Sequence, residues 1–309
     1  MRPFRFALQT STAPDAATWR ERARKAEDLG YSAMYIPDHL DDQWGPLVAL
    51  TVAAEATSTL KVGPLVLGND YRHPVVNAKE IATLDLISDG RVEFGIGAGW
   101  MRTDYEQSGI DYDEPAERVE RLEEAVEIYT QMLRDGSATF SGRHYQVDGA
   151  PCHPTPAGDN GPALLIGGGG KRVLTLAAQR ADIVGVNPNL RSGDTGKETA
   201  QSAVAEKYDQ RLAWIKEAAG DRFGDLDLQL LTFVVAIGGD RREVAEAMGP
   251  AMGITAEQAY DVPLALVGSV EEICEQLHER RERFGHNYIV VHDPEFEPFA
   301  EVIARLDGT

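Results

Sequence analysis

Two side chains with proton chemistry, Asp38 and His39, close the short apolar run "SAMYIPDH" at 32–39. Imidazole titrates near neutral pH, so a histidine placed there can trade a proton with a bound molecule. A carboxylate beside it can bias its charge or accept its hydrogen bond. A solvated loop pair has the same look, so the dipeptide takes its meaning from its frame. The second signal is "LIGGGGKRVL" at 165–174: a strand-like run, then Gly167, Gly168, Gly169 and Gly170, then the start of a helix. Backbone N–H groups at a helix N-terminus attract phosphate, and glycines let it approach the chain closely. Lys171 and Arg172 add positive charge. A flexible turn is the plainer reading, and the stretch does not say which phosphate compound would bind.

"GIGAGW" at 95–100 puts glycines where a strand should be strong. Glycine weakens a strand, so something there needs the space a side chain would fill. Gly97, Ala98 and Gly99 would let a flat ring system lie against backbone, with Trp100 as a wall; tight packing of strand on helix is the alternative. In "GNDYRHP" at 68–74, Gly68 ends another apolar run, and Arg72 is expected to tie loops together rather than to act in chemistry. His144, His153, His278 and His286 show no ligand-like spacing, so no metal site is expected. Cys152 and Cys274 fit neither a metal motif nor a disulfide framework. There is no G-x-S-x-G elbow and no P-loop.

The elements that must position these residues alternate. Strands are expected at 4–10, 32–39, 60–68, 91–99, 163–167, 182–186, 227–237 and 286–292. Helices are expected at 15–30, 45–58, 75–88, 116–133, 171–181, 197–219 and 269–285, with short helices over 241–260 and a closing one over 296–306. Eight apolar strands alternating with helices favour an all-parallel sheet with helical cover, and eight is the number that closes a barrel. A doubly wound open sheet competes, but the first strand runs into "QTSTAP", with no glycine fingerprint. The expected fold is a single α/β domain over 1–309, a (β/α)8 TIM-type barrel with insertions at about 136–162 and 187–226. Function in that fold sits at the carboxyl ends of the strands, where Asp38, His39, Gly68, Trp100 and the four-glycine run all fall.

Charge narrows the partners. With 50 acidic and 30 basic residues the net charge is -20, which argues against nucleic acid or an anionic membrane surface. No apolar run approaches a membrane span, and "MRPFRFALQT" leads straight into a strand pattern, so a cytoplasmic setting is expected.

Four blocks, "ARKAEDLGYSAMYIPDH", "YRHPVVNAKEIATLDLISDGRVEFGIGAGW", "RVERLEEAVEIY" and "LLIGGGGKRVLTLAAQRADIVGVN", resemble the luciferase-like monooxygenase superfamily. They are most similar to its actinobacterial branch that uses the deazaflavin coenzyme F-420. The resemblance runs from residue 4 to about 190 and continues weakly through "LVGSVEEICEQL" and "NYIVV". It implies an (α/β)8 barrel and several assignments. Asp38 and His39 match the Asp-His that, in the F-420-dependent glucose-6-phosphate dehydrogenases, faces the deazaflavin and the reacting carbon. His39, steered by Asp38, would then move the proton that accompanies hydride transfer. Leu65 and Val66 match the place where relatives carry a non-prolyl cis peptide behind the ring. Gly97 to Trp100 match the wall beside it, and Gly168 and Gly169 the backbone that holds the coenzyme phosphate. The sugar-phosphate dehydrogenases carry a glutamate where this chain has Trp100, so glucose 6-phosphate is not expected and a less polar substrate is.

The implied activity is hydride transfer between coenzyme F-420 and a small organic alcohol, carbonyl or activated alkene. An FMN-dependent monooxygenase using molecular oxygen is the second reading, and a barrel that binds a flavin-like molecule without turnover the third. Relatives often pair through their second and third helices, so a homodimer is expected by analogy.

Overall fold

Apolar residues run almost unbroken along the strands, as they must when a sheet is covered on both faces. The computed structural model describes residues 2–293 and 295–309. Its strands are β1 (Arg5–Gln9), β2 (Ala33–Ile36), β3 (Lys61–Pro64), β4 (Leu67–Gly68), β5 (Glu93–Gly97), β6 (Ser137–Ser141), β7 (Gln146–Pro151), β8 (Ala163–Gly168), β9 (Ile183–Val186), β10 (Asp227–Leu231), β11 (Val234–Ile237), β12 (Ala265–Gly268) and β13 (Tyr288–His292). Its helices are α1 (Ala16–Asp28), α2 (Pro46–Ala56), α3 (Pro74–Ile87), α4 (Arg102–Ser108), α5 (Pro115–Thr130), α6 (Lys171–Arg180), α7 (Lys197–Ser202), α8 (Ala205–Ala219), α9 (Arg241–Met252), α10 (Ala256–Tyr260), α11 (Val270–Phe284) and α12 (Phe296–Leu306).

The chain forms two compact units. One comprises residues up to Gln9, Asp28–Ser32 and Gly167–Thr309. In it β1 pairs with β13 in parallel, from Arg5 opposite Tyr288 to Gln9 opposite His292. The ladder continues in parallel through β10 to β9. β11 and β12 make a separate parallel pair. Phe6, Leu8, Leu230, Ile289 and Val290 are wholly buried in this unit.

The other unit comprises Thr10–Glu27 and Ala33–Ile166. Here β2 pairs with β3, β4 with β5, and β5 with β8, all in parallel, and Val62 bridges to Val92. The expected excursion at 136–162 contains the antiparallel hairpin of β6 and β7. Two glycines here are required by backbone proximity. A side-chain carbon on Gly63 would land on the Glu93 carbonyl oxygen, and one on Gly95 on that of Pro64. The first glycine of "GIGAGW" is therefore taken up by strand packing.

Several expected elements are divided. The 60–68 strand is interrupted between β3 and β4, where the Leu65–Val66 peptide is cis. The 227–237 strand separates into β10 and β11 around buried Thr232, whose N–H and hydroxyl both donate to the Val290 carbonyl. The 197–219 helix is two, α7 and α8. Two elements lie where none was expected. β12 is a four-residue run with no periodicity long enough to read, and α4 is a seven-residue helix stopped by Gly109 at φ 72°.

Candidate active site

β2 delivers Asp38 and His39 just past its last residue, Ile36. Asp38 is 4% exposed and fully engaged. Arg72 donates to both its oxygens, Nη1 to Oδ2 at 2.6 Å and Nη2 to Oδ1 at 2.9 Å, and the Gly68 N–H donates to Oδ2 at 3.0 Å. Burial works against the Arg72 charge, but its hydrogen bonds to Asp38 outweigh that and hold the guanidinium pKa above its ordinary value. Arg72 thus ties the loop after β4 to the loop after β2, the role expected of it.

The steering of His39 needs correction. Its Nδ1 lies 2.7 Å from Oδ2 of Asp104, on α4, and not on Asp38. The physical reason is that a guanidinium and a backbone N–H already occupy Asp38. Asp104 is 1% exposed and also accepts the Leu40 N–H and the Tyr71 hydroxyl, each at 3.1 Å. A carboxylate only accepts, so the proton of neutral His39 resides on Nδ1 and the lone pair on Nε2. Burial, reinforced by the Asp104 charge, pushes the Tyr71 phenol far up, so Tyr71 stays a neutral donor. The Trp100 ring meets the His39 imidazole edge-on, with centroids 5.4 Å apart and planes at 87°.

Bonds beneath these groups brace them. Burial first, and then Asp70, push the Tyr105 phenol up, and its hydroxyl donates to Asp70 Oδ2 at 2.9 Å. Arg121 pairs with Asp70 at 2.7 Å and also with Asp113. Arg118 donates to the carbonyls of Gly99 at 2.5 Å and Asp113 at 3.0 Å, and Tyr112 donates to that of Trp100 at 3.0 Å. Gly99 has φ +76°, and a side-chain carbon there would strike the Tyr105 hydroxyl. Gly68 sits opposite Gly97 in the β4–β5 register. Leu65 is buried and Ala98 half-buried.

Asp38, His39, Leu65, Val66, Gly68, Gly97, Ala98, Gly99 and Trp100 therefore share one unit, with Asp38 bonded to Gly68 and His39 touching Trp100. Gly167 to Gly170 belong to the other. There, side-chain carbons on Gly168 and Gly169 would run into Val173 and the Pro188 carbonyl, whereas one on Gly170 would meet nothing within 4 Å. Gly170 is the residue just before α6, and no side chain caps the helix. An uncapped helix start with open space before it fits an anionic group such as phosphate.

Asp104, Tyr71, Tyr105 and Arg118 were not read from the sequence. Asp104 is 65 residues from His39, and no spacing rule links them. A helix signal at "RTDYEQSG" was available, but not its partner. Among the described residues no group of three or more His, Cys, Asp or Glu side chains gathers as a metal site, and Cys152 and Cys274 are free thiols.

A family model described as Luciferase-like monooxygenase matches residues 1–260. The chain is 32% identical over 190 residues to a 5,10-methylenetetrahydromethanopterin reductase of Archaeoglobus fulgidus, a match covering 61% of this chain and 55% of that protein. It is 25% identical over 302 residues to an F-420-dependent glucose-6-phosphate dehydrogenase of Amycolatopsis mediterranei, covering 93% of this chain and 84% of that protein. The solved structure of a coenzyme F-420-dependent tetrahydromethanopterin reductase from Methanopyrus kandleri matches with TM-score 0.78 at 20% identity, over 99% of this chain and 98% of that one. That likeness gives the fold class, a (β/α)8 TIM-type barrel, as expected.

Proposed function

The chain belongs to the luciferase-like monooxygenase family and is an oxidoreductase, and from that premise we propose that it transfers a hydride between coenzyme F-420 and a small, uncharged organic alcohol, carbonyl or activated alkene. The observation that carries this reading is the His39–Asp104 pair. It fixes the imidazole tautomer so that Nε2 is the working atom. When bound, the deazaflavin supplies a two-electron hydride donor or acceptor at a ring carbon. His39 Nε2 takes the hydroxyl proton as an alcohol is oxidised, or returns a proton to the oxygen as a carbonyl is reduced, a task worth about 10²–10⁴ in rate. Asp104 stabilises the imidazolium that forms.

Residues assigned to the coenzyme are Leu65, Val66 and Gly68 behind the ring, Gly97, Ala98, Gly99 and Trp100 beside it, and Gly167 to Gly170 at its phosphate. Trp100 excludes water on the His39 side. The choice of an uncharged substrate is supported by three arginines of the His39 unit whose charges are already engaged. Arg72 is held by Asp38, Arg121 by Asp70 and Asp113, and Arg118 by two backbone carbonyls. Val48 on α2 and Val76, Leu86 and Ile87 on α3 are exposed, which supports a homodimer joined through these helices. No helix of the described residues is long and apolar enough to cross a membrane. With free thiols and an acidic surface, we assign the protein to the cytoplasm.

Titration of the purified protein with F-420 and with FMN, read by fluorescence quenching, tests the coenzyme assignment. F-420 binding followed by alcohol-dependent reduction of F-420 is the expected result. Binding of FMN alone, with oxygen consumed on addition of reduced flavin, would replace it with the monooxygenase reading. Tight F-420 binding without turnover on any alcohol, carbonyl or alkene would replace it with a carrier.

A further inference from the structure

We propose that Arg211 is the positioning residue of the glycine loop, holding the Gly169 carbonyl so that the Gly170 N–H is turned toward a bound phosphate. The inference rests on the assignment of Gly167–Gly170 to the coenzyme phosphate and adds a residue remote from that loop in sequence.

Arg211 lies within α8 and is 3% exposed. Its Nε donates to the Gly169 carbonyl at 3.1 Å and its Nη1 to the Ser202 carbonyl at 2.8 Å. Its guanidinium lies over the Tyr208 ring, 4.9 Å from the centroid. Among the described residues no carboxylate pairs with it, and burial pushes its pKa down from the ordinary value, opposed only by Tyr208. A guanidinium nonetheless keeps its proton.

Peptide geometry turns these bonds into a direction. The cis peptides of the described residues are Leu65–Val66 and His153–Pro154, so Gly169–Gly170 is trans. In a trans peptide the C=O and the following N–H point opposite ways. Drawing the Gly169 carbonyl to Arg211 therefore turns the Gly170 N–H away from Arg211. The neighbouring peptide is set likewise, because the Gly168 carbonyl accepts the Asn187 N–H at 3.0 Å, leaving the Gly169 N–H on the opposite side. A run of glycines left to itself would rotate these carbonyls freely and present negative ends to an anion. Arg211 removes that freedom at the second of the two peptides. Its buried charge behind the loop favours an anion in front of it, in a chain of net charge -20.

The test compares two ligands on three proteins: wild type, Arg211→Met and Arg211→Lys. Each is titrated with F-420 and with the same deazaflavin chromophore lacking its phosphate. Arg211→Met is expected to weaken F-420 binding roughly 10-fold or more, the loss of a hydrogen bond from a charged group, and to leave the phosphate-free chromophore within about 2-fold. Arg211→Lys keeps the charge and should fall between; it carries the test should Arg211→Met not fold. Equal weakening of both ligands would mean a general loosening of the fold and overturn the inference, as would no weakening of either. Should the wild type bind FMN and not F-420, the coenzyme assignment fails. Arg211 is then judged by the same contrast between FMN and riboflavin, with the same selective loss required.

Discussion

Around His39 the charged side chains are held chiefly by other side chains; at Gly167–Gly170 the orienting bonds run to backbone carbonyls. Asp104 holds His39, Arg72 holds Asp38, and Arg121 holds Asp70. The glycine loop has no side chains to hold, so Asn187 and Arg211 grip its carbonyls. The difference follows from the tasks. A proton carrier must have its tautomer and ring direction set, which an acceptor at one ring nitrogen does, here the Asp104 carboxylate. A phosphate cradle must have its N–H vectors set and its surface kept bare, which requires fixed peptides without Cβ atoms.

Substitutions in the two regions should therefore fail in different ways. The largest effect is expected for His39→Ala, which should cut turnover by about 10²–10⁴ in steady-state assays while F-420 affinity stays within about 2-fold. Equal loss of both would make His39 a binding group and dissolve the contrast. Next comes Arg72→Met, which strands the buried Asp38 carboxylate. It should lower unfolding free energy by about 3–5 kcal/mol in urea titrations; a change below about 1 kcal/mol would mean that the pair is solvated. Asp104→Asn removes the anionic partner of His39 and should lower kcat by at least roughly 10-fold with little effect on KM, because the imidazole loses its set tautomer and the imidazolium its counter-charge. A pH–rate profile identical to wild type would show that Asp104 does not act through His39. The smallest effects should be in the glycine loop, and they should split. Gly169→Ala meets the Pro188 carbonyl and should destabilise by about 1–3 kcal/mol. Gly170→Ala meets open space and should leave the midpoint of thermal unfolding within about 2 °C of wild type. Equal destabilisation by the two would mean that both positions are packed alike.

The two regions were also unequally legible. "LIGGGGKRVL" announces strand, glycines and helix within ten consecutive residues, and the structure has β8 running into α6 at that place. The Asp38–His39 dipeptide was visible too, and the resemblance pointed to it, but its neighbours in sequence suggested the wrong carboxylate. The glycines of "GIGAGW" looked like room for a ligand. Gly95 instead makes room for the Pro64 carbonyl, and Gly99 for its own left-handed turn and the Tyr105 hydroxyl. β12 and α4 were missed because runs of four and seven residues are too short for periodicity to declare.

By itself the chain determined the alternation of strand and helix, the parallel character of its sheet and the placing of its reactive residues just past strand ends. All of these follow from hydrophobic period and from glycine and proline punctuation, which act over a few residues. Only the tertiary structure decided which carboxylate serves which cation or imidazole, and which buried arginine grips the glycine loop. Those pairings are chosen by the low dielectric of the interior, where a charge must find its partner wherever in the sequence that partner lies.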